Sequence, residues 1–148
     1  MMQPLDDWLV GLLLKLSPAE RKSLNRRVMY ELRRSQARRI AAQQNPDGTP
    51  YQPRAGQKNL RGKKGKIKRK AMFAKLRTQR HLKARSDANA IEVGFRGRDA
   101  VVAVTHQEGS VRVRRGRRFV TPKRVLLGLA GSDMSTLERV YLEHLAQD

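Results

Sequence analysis

Leu5, Trp8, Leu9, Leu12, Leu13 and Leu16 recur at three- and four-residue steps, a spacing that predicts a helix from about Pro4 to Leu16 with one apolar face. Ser17-Pro18-Ala19-Glu20 follows at once and reads as an N-cap, a proline at the first helical position and a capping-box glutamate. A second helix is expected from Pro18 to about Gln43, since no glycine or further proline interrupts the chain before Asn45-Pro46. The two helices are expected to form a hairpin. At about 100° per residue, Leu24, Val28, Leu32 and Gln36 share one side of the second helix. Lys22, Arg26, Arg27, Arg33, Arg34 and Arg38 occupy a broad opposing arc.

Periodicity then stops. Asn45-Pro46-Asp47-Gly48 is a type I turn signal. From Pro53 to Lys70 almost nothing but Leu60 and Ile67 could be buried, so this stretch is expected to be extended and mobile alone and ordered by assembly. Ala71–Leu76 returns to order, with Met72, Phe73 and Leu76 as core candidates. His81–Arg85 and Ala90–Phe95 flank Ser86-Asp87-Ala88-Asn89 and read as a β-hairpin. The valines of Ala100–His106 favour strand, but the Glu108-Gly109 ending is a helix stop, and a helix is expected. Val111–Arg114 and Arg118–Thr121 read as strands joined by the basic loop Arg115-Gly116-Arg117. Ser132-Asp133 is the expected N-cap of a last helix carrying Leu137, Val140, Tyr141, Leu142 and Leu145. The fold class is therefore α+β: an N-terminal helical hairpin, a small antiparallel β-sheet, a C-terminal helix covering it, and a long basic loop. One domain is expected over residues 1–148, made of the helical hairpin (1–43), the basic loop (44–70) and an α+β core (71–148).

Charge changes this picture most. The 148-residue chain has a formal net charge of +20, and 22 lysines and arginines against three acids lie between Glu20 and Arg85. Arg61–Lys70 alone holds seven cations in ten residues. Such a run repels itself and calls for a polyanionic partner. Arg61, Lys63, Lys64, Lys66, Lys68, Arg69 and Lys70, with Arg26, Arg33, Arg34 and Arg38, are the candidate contacts to DNA or another polyanion. The wide apolar face around Trp8, Leu9 and Leu12 is the candidate subunit-packing surface.

Catalytic chemistry finds no constellation. The chain has no cysteine, and His81, His106 and His144 lack metal-ligand spacing. Asp6-Asp7 suits the first turn of a helix. Gly56 to Lys64 has one residue too many between its glycines for a phosphate loop, and a lysine where a serine or threonine must meet magnesium. No enzyme, metal or cofactor is expected. No aromatic platform supports base reading, so any nucleic-acid contact is to backbone, without sequence specificity. The apolar stretch Trp8–Leu16 is too short for a bilayer and lacks the basic flank of a signal peptide.

Taken in order, Leu32-Arg-Arg-Ser-Gln-Ala-Arg-Arg-Ile40, Asn45-Pro-Asp-Gly-Thr-Pro-Tyr51 with Pro53-Arg54, Met72-Phe-Ala-Lys-Leu-Arg77, Glu92-Val-Gly-Phe95, His106-Gln107 with Gly109, and Pro122-Lys-Arg124 with Leu126-Leu-Gly-Leu129 resemble the tail completion, or virion morphogenesis, family of contractile-tailed bacteriophages. Glu108 departs from the pattern, where an aromatic is expected. The resemblance implies a structural virion protein that finishes the tail and makes it competent for head joining. It also implies a homo-oligomer, a hexameric ring matching a sixfold tube, at the tail top or head–tail junction after assembly in the host cytoplasm. Its partners would be the tail tube or tail terminator and the head-neck connector proteins. Two alternatives stay open: a head-side neck connector subunit, and a free basic protein that binds nucleic acid without specificity.

Overall fold

Helix α1, Pro18–Ala41, is the spine of the molecule, and its start is set by local chemistry. Ser17 Oγ accepts the Glu20 amide at 3.2 Å while the Glu20 carboxylate accepts the Ser17 amide at 3.4 Å, a reciprocal capping box. Arg38 and Arg39 in its last turn complement the carbonyl end of the helix dipole. The helix ends where Gln43 turns left-handed, with φ of 58°. The computed structural model describes residues 10–11, 14–54 and 71–146. Of the first predicted helix, Val10, Gly11, Leu14 and Lys15 are helical; the remainder, with Trp8, Leu9 and Leu12, lies outside the described residues, as does the basic stretch 55–70.

Two antiparallel hairpins follow. Strands β1 (Lys83–Ser86) and β2 (Ile91–Gly94) pair with Lys83 opposite Gly94 and Ser86 opposite Ile91. The Asp87 carboxylate closes their turn by accepting the amides of Asn89 and Ala90 at 2.7 and 2.8 Å. Helix α2, Arg98–Glu108, is the helix expected from its glycine stop. Strands β3 (Ser110–Arg114) and β4 (Arg117–Thr121) pair through the two-residue turn Arg115-Gly116. Both turn residues have positive φ, 50° and 71°, the type I′ geometry that matches strand twist. Helix α3, Gly131–Leu145, closes the chain.

The α+β class holds, with three corrections. The strands make two separate two-stranded sheets instead of one. Helix α3 packs along α1, where Val140, Leu137 and Tyr141 meet Leu24 and Val28, and Ile91 of β2 joins the same cluster; an Arg27–Glu143 ion pair at 3.0 Å spans the two helices. The start of α3 is also shifted: Ala130 is its N-cap, and Asp133 acts from the third helical position, accepting the Ala130 amide at 2.8 Å.

A second cluster lies at the other end of α1, where Ile40, Tyr51, Met72, Ala103 and Leu126 are buried and Phe73, Leu76, Phe95 and Leu127 pack around them. The Ala71–Leu76 piece is a series of turns and not a helix, yet Met72, Phe73 and Leu76 are core as expected. Phe73 sits at φ of 63°, held edge-on to Tyr51 and His106 with ring centroids 5.8 and 4.7 Å away. Burial pushes the Tyr51 hydroxyl up to about 12, against a smaller opposing pull from Arg39.

Candidate functional site

The segment Val125–Gly128 bends at Leu127 and lies in no sheet, although Leu126 is fully buried. Buried backbone groups need partners, and here side chains supply all of them. Asn45 Oδ1 accepts the Val125 amide at 2.9 Å, and the Tyr51 hydroxyl donates to the Val125 carbonyl at 3.0 Å. Gln107 Oε1 accepts the amides of Leu126 and Leu127 at 2.9 and 3.0 Å, while its Nε2 donates to the Leu127 carbonyl at 2.8 Å. Gln36 Oε1 accepts the Gly128 amide at 3.1 Å. Arg39 donates to the carbonyls of Leu126 and Gly128 at 2.7 and 2.9 Å. Side chains from α1, the Asn45–Gly48 turn and α2 thus replace a neighbouring strand.

Space fixes the same junction. A Cβ on Gly128 would lie 2.7 Å from Pro46 Cγ, so the turn ring and the Leu126-Leu127-Gly128-Leu129 segment approach as closely as glycine permits. The turn forms as expected, with the Gly48 amide donating to the Asn45 carbonyl at 2.9 Å. Behind it Arg39 is buried at 9% exposure, 3.6 Å from Asp133, whose carboxylate also accepts from Ser35 Oγ. Burial lowers the Arg39 pKa, opposed in part by Tyr51 and Asp133.

This frame grips both flanks of the basic stretch 55–70. On the entering side Arg124 donates to the Gln52 and Pro53 carbonyls at 2.7 and 3.2 Å. On the leaving side the Gln43 amide pairs with Met72, accepting its N–H at 2.7 Å and donating to its carbonyl at 2.9 Å. Gln43 also accepts the Tyr51 amide through its own backbone carbonyl at 2.7 Å. Gln43, just past the C-terminal end of α1, therefore bonds to the chain on both sides of the stretch 55–70.

Arg124 also donates to His106 Nδ1 at 3.3 Å, which requires a neutral ring with its proton on Nε2. Burial, then the charges of Arg124 and Arg54, hold His106 below its ordinary value. A histidine with a depressed folded-state pKa contributes stability above its unfolded value, near 6.5, and that contribution is lost as pH falls through the lower folded value. The stability advantage of the wild type over His106→Gln is expected to shrink below about pH 6.5. Thermal unfolding of both proteins at pH 7.5 and at mildly acidic pH checks this; an advantage unchanged by pH removes His106 from the account.

The cationic arc of α1 is largely exposed: Arg26, Arg34 and Arg38 face solvent, Arg33 is half-buried, and Arg26 lies 6.0 Å over the Tyr30 ring. Arg34 meets Glu31 at 3.4 Å. Arg38 lines a cleft of about 490 Å³ beside Asn45, Asp47, Ser132 and Asp133. Carboxylates on its walls suit it poorly to a small anion. The other predicted polyanion contacts, Arg61, Lys63, Lys64, Lys66, Lys68, Arg69 and Lys70, lie outside the described residues, as do Trp8, Leu9 and Leu12. The burial of Arg39 has no signal in the sequence beyond its position three residues after Gln36, which puts it on the buried side of α1. The β3–β4 hairpin extends the basic Arg115-Gly116-Arg117 turn to five exposed arginines, Arg112, Arg114, Arg115, Arg117 and Arg118.

Among the described residues no three His, Cys, Asp or Glu side chains gather as a metal site, and no helix is long and apolar enough to cross a membrane. The chain matches the Phage virion morphogenesis family over residues 1–146. It is similar to the tail completion protein S of Escherichia phage P2, with 42% identity over 143 residues, covering 95% of this chain and 94% of the relative. No solved structure matches it.

Proposed function

Because the chain belongs to the Phage virion morphogenesis family, we propose that it is a structural subunit that completes a phage tail and makes it competent to join the head, with no catalytic role. The observation that carries this reading is the 42% identity to a tail completion protein across nearly the whole of both chains. The charge distribution supports a reading of where it acts. A +20 subunit with a basic loop gripped at both flanks suits a ring at the tail top or head–tail junction, where DNA passes and its phosphates offset subunit repulsion. Identical subunits joined head to tail close into rings, and six copies fit a sixfold tube. In such a ring Arg61, Lys63, Lys64, Lys66, Lys68, Arg69 and Lys70, helped by Arg26, Arg33, Arg34 and Arg38, contact the DNA backbone. Trp8, Leu9 and Leu12 pack between subunits. A passing genome must slide, so these contacts read no sequence.

Purified protein added to tails assembled without it should restore head joining and infectious particles. Its solution mass, with nucleic acid removed, should be that of six 16.9 kDa subunits, about 101 kDa. A monomer that associates only on polyanion addition, with no restoration of tails, would identify a free nucleic-acid-binding protein instead.

A further inference from the structure

We infer that the β3–β4 hairpin is a docking arm for an acidic protein of the tail, separate from the DNA-facing loop. This rests on the tail-completion reading for where the partner is found. The hairpin leaves the body at Gly109 and returns at Pro122, and every residue from Val111 to Val120 is exposed. At its base Gly109 has φ of 72°, and a Cβ there would lie 3.2 Å from Lys123 N and the Thr121 carbonyl. The departure point is thus closely fitted.

The register sorts the hairpin into two faces. Val111 lies opposite Val120 and Val113 opposite Arg118, while Arg112 lies opposite Phe119 and Arg114 opposite Arg117 on the other side. One face is mainly valine and the other mainly arginine with one aromatic. Val113 is 72% exposed and Val120 60%. Four of the thirteen large hydrophobics exposed among the described residues, Val111, Val113, Phe119 and Val120, fall on this one hairpin. Single exposed valines are ordinary, but such a concentration marks a protein contact. An isolated two-stranded hairpin is also marginal in water and gains from a partner.

Charge selects the partner. None of the five hairpin arginines makes an ion pair within the described residues, where Arg27, Arg34, Arg39, His81, Arg85 and Arg139 do. A second copy of this chain, with 13 acids against 33 lysines and arginines, would meet the hairpin with net repulsion. DNA phosphates would suit the arginines but leave the valine face in water. An acidic protein surface with an apolar cleft satisfies both faces at once.

The test uses co-sedimentation with tails assembled without this protein. Val111→Ser/Val113→Ser/Val120→Ser should weaken binding at least tenfold while leaving solution mass, thermal stability and DNA affinity unchanged. Arg114→Glu/Arg117→Glu should weaken binding similarly and flatten its salt dependence. Wild-type binding to tails that neither variant weakens overturns the arm alone, and failure of the wild type to bind tails overturns the tail-completion reading as well. A changed solution mass for the valine variant assigns the face to a second copy and overturns the proposal. So does a charge variant that loses DNA binding but keeps tail binding.

Discussion

Arg39→Ala is expected to destabilise the protein by about 3–5 kcal/mol, the range for removing one partner of a buried ion pair. The reason is the number of groups that one guanidinium satisfies: the Leu126 and Gly128 carbonyls, Gln36 Oε1 at 2.7 Å, and Asp133 at 3.6 Å. Alanine leaves the Leu126 and Gly128 carbonyls without their donor and the buried Asp133 carboxylate without its counter-charge, although Asp133 keeps its bonds from Ser35 and Ala130. Since a protein of this size loses roughly 2–4 °C per kcal/mol, Tm should fall on the order of 10 °C. Arg39→Lys keeps the charge but cannot fork to two carbonyls and an amide together, so it should fall between the wild type and Arg39→Ala. Urea denaturation measures all three. A cost below about 1 kcal/mol for alanine, the value of one ordinary hydrogen bond, would show that Val125–Gly128 is held by apolar packing.

The same segment shows where sequence reading stops. Elements defined by local chemistry were legible: Ser17-Pro18-Ala19-Glu20 announces α1, Ser86–Asn89 the first hairpin, Gly109 the end of α2. What cannot be read from spacing is partnership across the chain. Val125–Gly128 has the composition of a strand but finds Asn45, Gln36, Arg39 and Gln107 in place of a ladder, residues 19 to 92 positions away. Helix α3 carries an apolar stripe that could cover either a sheet or a helix, and the fit to Leu24 and Val28 decides it. Of the candidate site, the cations were legible by composition and the α1 arc by periodicity. The burial of Arg39 was not, because in a chain with 33 lysines and arginines one more arginine carries no signal by itself. The ordered motifs of the family resemblance are now physically intelligible: Gln36, Arg39, Asn45, Tyr51, Gln107 and Gly128 all belong to one junction.

That junction sets the terms for the basic loop. Replacing Lys63, Lys64, Lys66, Lys68, Arg69 and Lys70 with glutamine lowers the formal charge from +20 to +14 and touches none of the side chains that clamp residues 52, 53 and 72. Folding and ring mass should therefore be unchanged, while infectious-particle yield falls and salt-sensitive DNA binding is lost. The size of the binding effect follows from counterion release: each phosphate neutralised contributes about −0.9 to the slope of log affinity against log salt. Six such contacts correspond to about a thousandfold loss between 50 and 200 mM salt in the wild type. Their removal should flatten that slope by up to about five. The wild type and the glutamine variant, titrated with one duplex across that salt range, provide the comparison, with particle yield measured in parallel. If the variant keeps both wild-type yield and the wild-type salt slope, the six cations serve only solubility. If the slope flattens but yield holds, they bind DNA without a part in tail completion. Loss of both with folding and solution mass unchanged would tie the charge of residues 63–70 to tail completion through contact with DNA phosphates.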